Sequence, residues 1–202
     1  MSPLYLCGGL ARRLPARRLA VGLGVLSALA LAPSAQAATT SLDGTVQGGS
    51  LSNTAPTIAS FNATLNGVNQ TVPTTMGAWS VTDATGSNDG YSVTAAASAP
   101  TITNSTAADP TPGTGFAMQL TPPTATAATG NPASTGPVAE SMQTLGTTAT
   151  TIENAPAGTG QGEWDFPADS NGNDSLGVVI PGDASNGDYA ITLTFTTAPP
   201  VA

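Results

Sequence analysis

Asn186-Gly-Asp-Tyr-Ala-Ile-Thr-Leu-Thr-Phe-Thr-Thr-Ala-Pro199 decides the fold class. Tyr189, Ile191, Leu193 and Phe195 alternate with Ala190, Thr192, Thr194 and Thr196. A period of two puts the first set on one face and the second on the other, the pattern of a half-buried β-strand. The same alternation recurs upstream. Phe61, Ala63 and Leu65 oppose Asn62 and Thr64, and Asn66-Gly67 then predicts a two-residue hairpin turn, because both positions tolerate positive φ. Val68 to Val72 is the expected return strand. Trp79 and Val81 alternate next, a polar turn spans Asp83 to Gly90, and Tyr91, Val93 and Ala95 resume the pattern. Phe116, Met118 and Leu120 form another such run.

No stretch after residue 37 sustains a helical period. Thr, Ser, Gly, Pro and Asn recur throughout, and these residues favour strands and turns over helix interiors. An all-β architecture follows, and an antiparallel, Ig-like β-sandwich is the economical form of it. The segment from Thr121 to Pro137 is rich in Pro, Thr, Ala and Gly. It carries too little apolar surface to offset its ordering entropy, so it reads as a loop or floppy insertion and a candidate for O-glycosylation.

The N-terminal segment differs in kind. The four basic side chains of the 202-residue chain are Arg12, Arg13, Arg17 and Arg18, and the single cysteine is Cys7. An apolar run from Leu19 to Leu31 follows, then Pro33, then the small residues of Ala35-Gln36-Ala37. This is the layout of a secretory signal peptide covering 1–37, and the run falls short of the ~20 residues that span a bilayer. The expected mature protein, 38–202, is then one domain with no transmembrane anchor and an extracellular or wall-associated location.

Cleavage would remove every basic side chain, leaving about 165 residues with twelve carboxylates and no His, Lys or Cys. Nucleic-acid binding, which needs cations to neutralise phosphates, is excluded. So are thiol and imidazole catalysis, disulfides and His/Cys metal sites. The many hydroxyls have no histidine or lysine to activate them. Two carboxylates can hydrolyse a glycosidic bond, but only eight aromatics and no cation accompany them here, so the expectation is a protein that is not an enzyme.

Two features have binding chemistry. In Glu163-Trp-Asp-Phe166 a strand would put Trp164 and Phe166 on one face and the carboxylates, including Asp165, on the other. Trp164, Asp165 and Phe166 would make a glycan platform if the indole lay exposed; core aromatics with solvated acids outside are the plainer reading. Asp169-Ser-Asn-Gly-Asn-Asp174 is superficially like a calcium loop, yet Asp174 stands where the turn needs glycine and Ile180 where a bidentate Glu is required. The pairs Asp83/Asp89, Asp169/Asp174 and Asp183/Asp188 sit in Gly/Asn-rich turns, where local backbone hydrogen bonding accounts for Asp. No cofactor is expected, and weak calcium binding is the minor alternative.

Two stretches resemble the WxL family of Gram-positive secreted surface proteins. Phe61-Asn-Ala-Thr-Leu-Asn-Gly-Val-Asn-Gln-Thr-Val72, continuing through Gly77-Ala-Trp-Ser-Val-Thr-Asp-Ala-Thr-Gly86 to Gly90-Tyr-Ser-Val93, is similar to that family's strand, its "V-x-D-x-x-G" turn and its first "W-x-L" motif. The C-terminal stretch quoted above is similar to the closing "G-x-Y-x-x-x-L-x-W-x-L" strand. Tyr91 stands in place of the first motif Trp and Phe195 in place of the second, with Val93 and Thr197 replacing the Leu residues. The resemblance implies a β-sandwich that associates non-covalently with the cell wall, with peptidoglycan as ligand, other surface proteins as further partners, and Tyr91 and Phe195 as the motif-equivalent contacts. A self-associating structural or adhesive subunit, pairing through strand edges, is the alternative.

Overall fold

The computed structural model describes residues 42–132, 135–169 and 175–200. The segment read as a signal peptide lies outside them. The chain divides into a unit Met1–Asp43 and a unit Gly44–Ala202, and the strands of the described residues belong to the second. The described residues of that unit contain fourteen strands and no helix. They are β1 (Leu51–Asn53), β2 (Gln70–Thr74), β3 (Trp79–Asp83), β4 (Tyr91–Ala97), β5 (Thr101–Thr103), β6 (Ala117–Leu120) and β7 (Thr126–Ala127). The second half adds β8 (Val138–Ala139), β9 (Gln143–Leu145), β10 (Thr150–Ala155), β11 (Gly162–Phe166), β12 (Leu176–Ile180), β13 (Asp188–Ala190) and β14 (Leu193–Ala198).

All the pairings are antiparallel. Three four-stranded sheets have the orders β1-β3-β11-β7, β14-β4-β10-β8 and β2-β12-β6-β9, and β13 and β5 form a two-stranded ribbon. The fold is therefore all-β and sandwich-like, with its strands shared among more sheets than the two of a simple Ig-like layout. Alternation dictates what each sheet buries. Trp79, Val81 and Asp83 of β3 point inward, as do Tyr91, Val93, Ala95 and Ala97 of β4. The apolar ones among these side chains join Met118, Leu120, Leu176, Val178 and Phe166 in one core fed by all three large sheets. At its centre the Trp79 and Phe166 rings stack 3.8 Å apart at 7°, and Phe195 tilts against Trp79 at 5.9 Å. No cation among the described residues makes an ion pair, because all four arginines lie at 12–18, so burial and backbone hydrogen bonds hold the sheets.

Several expectations need correction. Phe61 to Leu65 forms no strand. The Asn66-Gly67 turn chemistry is present, with Val68 N donating to Asn66 Oδ1 at 3.1 Å and Gly67 at φ +80°. It does not make a hairpin. The following strand, β2, starts at Gln70 and pairs with β12, Leu176 against Thr74 through Ile180 against Gln70. In β12 all but Val179 are buried, so this distant partner contributes more burial than a local one would. Tyr189–Thr196 keeps its alternation but splits: β13 pairs with β5, β14 pairs with β4, and between them Thr192 N donates to Ser98 Oγ at 3.0 Å. Nor is 121–137 wholly loop. It supplies β7, which pairs Ala127 with Trp164 and Thr126 with Asp165, and it buries Pro122 and Pro137.

The polar turn before β4 closes on a glycine for steric reasons. Gly90 is buried at φ +80°, and a Cβ there would lie 2.1 Å from the Ala155 carbonyl oxygen and 2.7 Å from Pro156 backbone. Gly90→Ala meets both a left-handed backbone and unyielding main chain. A loss of about 2–4 kcal/mol is expected, to be read as a lowered urea midpoint; an unchanged midpoint would refute the close approach.

Candidate functional site

The structure separates the residues that the sequence suggested for binding. Tyr91 is 1% exposed and points from β4 into the core. Trp164 and Phe166 are also buried, while Asp165 between them is exposed. The alternation of β11 is as expected; the exposed aromatic platform is not formed. The Trp164 indole packs over Gly136, where a Cβ would come within 2.4 Å of the ring, and its Nε1 donates to Gln161 O at 3.2 Å. Phe166 is covered by Trp79. A pyranose has no ring face to stack on at this strand, where the carboxylates of Glu163 and Asp165 are the exposed groups. Tyr91 and Phe195 are not brought together either. Phe195 is in register with Ala95, four residues along β4 from Tyr91, a separation of roughly 13 Å.

Phe195 has a different setting. It is half-buried and lines a cleft of about 890 Å³. One wall is the strandless segment 55–65, the other is 185–195, and Thr74, Met118 and Ile180 also line the cavity. Phe61, Tyr189 and Phe195 bring rings to this cleft, Asn62 and Asn186 bring amides, and Asp188 brings a carboxylate. Most of these groups are braced from behind. Tyr189 stacks on Phe116 with centroids 5.6 Å apart, and its hydroxyl donates to Ser185 O at 2.6 Å. Burial raises its hydroxyl pKa. Asn186 Nδ2 donates to Thr106 Oγ1 at 2.9 Å, and Asn104 Nδ2 donates to Asp188 Oδ2 at 2.5 Å. The opposite wall is tied by Thr74 Oγ1, which donates to Ala59 O at 2.6 Å, and by Gln70 Nε2, which donates to Thr64 O at 3.0 Å. Among the described residues no hydrogen bond engages Ser60 to Ala63. A largely preformed cleft of rings, amides and hydroxyls with one carboxylate suits a neutral, hydroxyl-bearing ligand.

No protein-family model matches the chain, and no curated protein or solved structure matches it.

Of the turn aspartates, Asp83 is engaged locally as expected, whereas Asp169 and Asp183 instead tie segments distant in the chain. Asp83 accepts from Thr85 N at 3.0 Å and from Thr85 Oγ1 at 2.6 Å; Asp183 accepts from Thr114 N at 3.1 Å. Asp169 accepts from Met76 N at 2.7 Å and from the Ser175 hydroxyl. Asp174 lies outside the described residues. Among those described, no group of three or more His, Cys, Asp or Glu is placed to hold a metal ion.

One acidic residue was missed altogether. Glu153 of β10 is 0% exposed. The register of β10 against β4 shifts between Thr151 and Glu153, so that Ile152 and Glu153 both turn inward. Thr150-Thr-Ile-Glu-Asn-Ala155 has no clean period of two, and its only sequence signal is a carboxylate inside an otherwise uncharged β-prone run.

Proposed function

We propose that this chain is a secreted, non-catalytic cell-surface module that associates non-covalently with the cell wall through the Phe61/Tyr189/Phe195 cleft, taking a neutral stretch of peptidoglycan or another wall glycan. The observation that carries the reading is the position of Phe195. Of the two aromatics that correspond to the motif tryptophans of the WxL-like pattern, it is the one that lines the cleft. Aromatic faces pack against the apolar faces of sugar rings, and amides and hydroxyls satisfy sugar hydroxyls. The charge balance limits the ligand. Twelve carboxylates with every arginine at 12–18 make the mature chain a polyanion, repelled by anionic wall polymers unless neutral sugars or divalent cations mediate contact.

Retention of the 38–202 protein by purified wall sacculi tests this. Retention is expected, and Phe195→Ala should weaken it about 10-fold or more with the circular dichroism spectrum unchanged. Loss of retention on adding a chelator would assign part of the contact to divalent cations. Absence of retention would refute the reading. A second reading, a self-associating surface subunit, is favoured by β14, a six-residue strand at the edge of its sheet with no charge or proline. It predicts soluble polymers of the purified protein without wall retention.

A further inference from the structure

Glu153 is a buried carboxylate with no counterpart in the proposed binding chemistry. Neither of its oxygens has a hydrogen-bond partner among the described residues. On one side it is in register with Val93 of β4; on the other lies β8, which pairs Ala139 with Glu153 and Val138 with Asn154. The β8 cover is slight. It is two residues long, its Val138 is 63% exposed, and its continuation is fastened by Glu140 N donating to Ile152 O at 2.9 Å.

The titratable groups around this position are acids. Tyr91 comes from β4 with its hydroxyl buried and without a hydrogen-bond partner among the described residues, Asp83 lies at the end of β3 with an oxygen turned to Thr85, and Glu140 follows β8. Strand β9, Gln-Thr-Leu, brings no charge. No arginine is available in the described chain. A carboxyl group in such a place is tolerated as the neutral acid, because its ionised form would be shut away from solvent with no cation among the described residues beside it. Burial first, and the Glu140 charge second, hold its proton until the pH reaches about 8.

We propose that protonated Glu153 is a latch on this sheet: its ionisation releases edge strand β8 and uncovers the outer edge of β10, so that the state of the edge follows the pH of the medium. Release answers the desolvation directly, since lifting β8 admits water to the carboxylate and moves Glu140 away from it. It sacrifices the short β8 pairing and the bond from Glu140 N to Ile152 O, while β10 remains held by β4 over Thr150–Ala155.

Amide exchange of the 38–202 protein, followed by NMR at pH 6 and pH 9 and corrected for intrinsic base catalysis, tests the latch. The protection of Glu140 should fall at least 10-fold between the two pH values, while that of Val178 in β12 holds. In Glu153→Gln, neutral at both, Glu140 protection should not depend on pH. In the unsubstituted protein the Glu153 side-chain carboxyl carbon should titrate near pH 8, in step with the loss of protection. Equal behaviour of Glu140 and Val178, the same loss in Glu153→Gln, or titration of Glu153 in the ordinary carboxylate range would each overturn the proposal.

Discussion

Tyr91→Ala is expected to unfold or severely destabilise the protein, by about 3–5 kcal/mol, where loss of a surface ligand contact would cost almost nothing. The ring is 1% exposed and belongs to the core cluster with Val93, Ile152 and Ala155. Truncation leaves a ring-sized cavity, and β4 pairs with both β10 and β14, so the surroundings cannot collapse freely. Tyr91→Phe separates packing from polarity. The hydroxyl is buried with no hydrogen-bond partner among the described residues, and burial, then Asp83 and Glu153 nearby, raise its pKa. Removing it deletes an unsatisfied polar group, so Tyr91→Phe should stabilise by about 1 kcal/mol. Thermal and urea melts of both variants decide the matter. A stable Tyr91→Ala variant with impaired wall retention would return this residue to the binding surface.

Glu153→Gln has the second large effect, and its sign depends on pH. In the folded chain this carboxyl keeps its proton to about pH 8, against an ordinary value of 4.5. Below about 4.5 both folded and unfolded chains carry the proton, and the contribution of this site to stability is fully present. As pH rises from there, the unfolded chain releases the proton first, and stability falls until the folded group also ionises near pH 8. The loss across that window is on the order of 4 kcal/mol. Gln cannot ionise, so Glu153→Gln should match the parent near pH 4.5, melt well above it at pH 8, and show a flatter pH profile. Identical profiles for variant and parent would mean that the carboxylate is solvated in the folded state.

Much of the strand content was legible because side-chain alternation is local. Trp79–Asp83, Tyr91–Ala97 and Gly162–Phe166 bury the residues that a period of two places inside. Two central strands escaped the same reading for opposite reasons. Leu176-Gly-Val-Val-Ile180 is covered on both faces and so has no alternation to detect, although its continuous apolar run is itself a strand signal. Thr150–Ala155 carries the register shift that breaks its period. The Phe61–Leu65 segment alternates as well as any true strand, yet no strand among the described residues pairs with it, and it became a wall of the cleft. Of the suggested contact residues, only Phe195 reaches that cleft. Tyr91, Trp164 and Phe166 were consumed by a core that had few other large side chains to use.

The sequence by itself determined the fold class and the chemical character of the protein. Period-two alternation with abundant Thr, Gly and Pro specifies strands and turns, and the placement of four arginines ahead of residue 19 leaves the rest without a basic side chain. Both are properties of neighbouring residues or of composition. Tertiary structure decided which strands pair, which aromatics fill the core, and which carboxylate is deprived of water. Those outcomes depend on contacts between residues far apart in the chain, such as Val72 with Val178 or Glu153 with Val93, where competition for the limited apolar burial selects the partner.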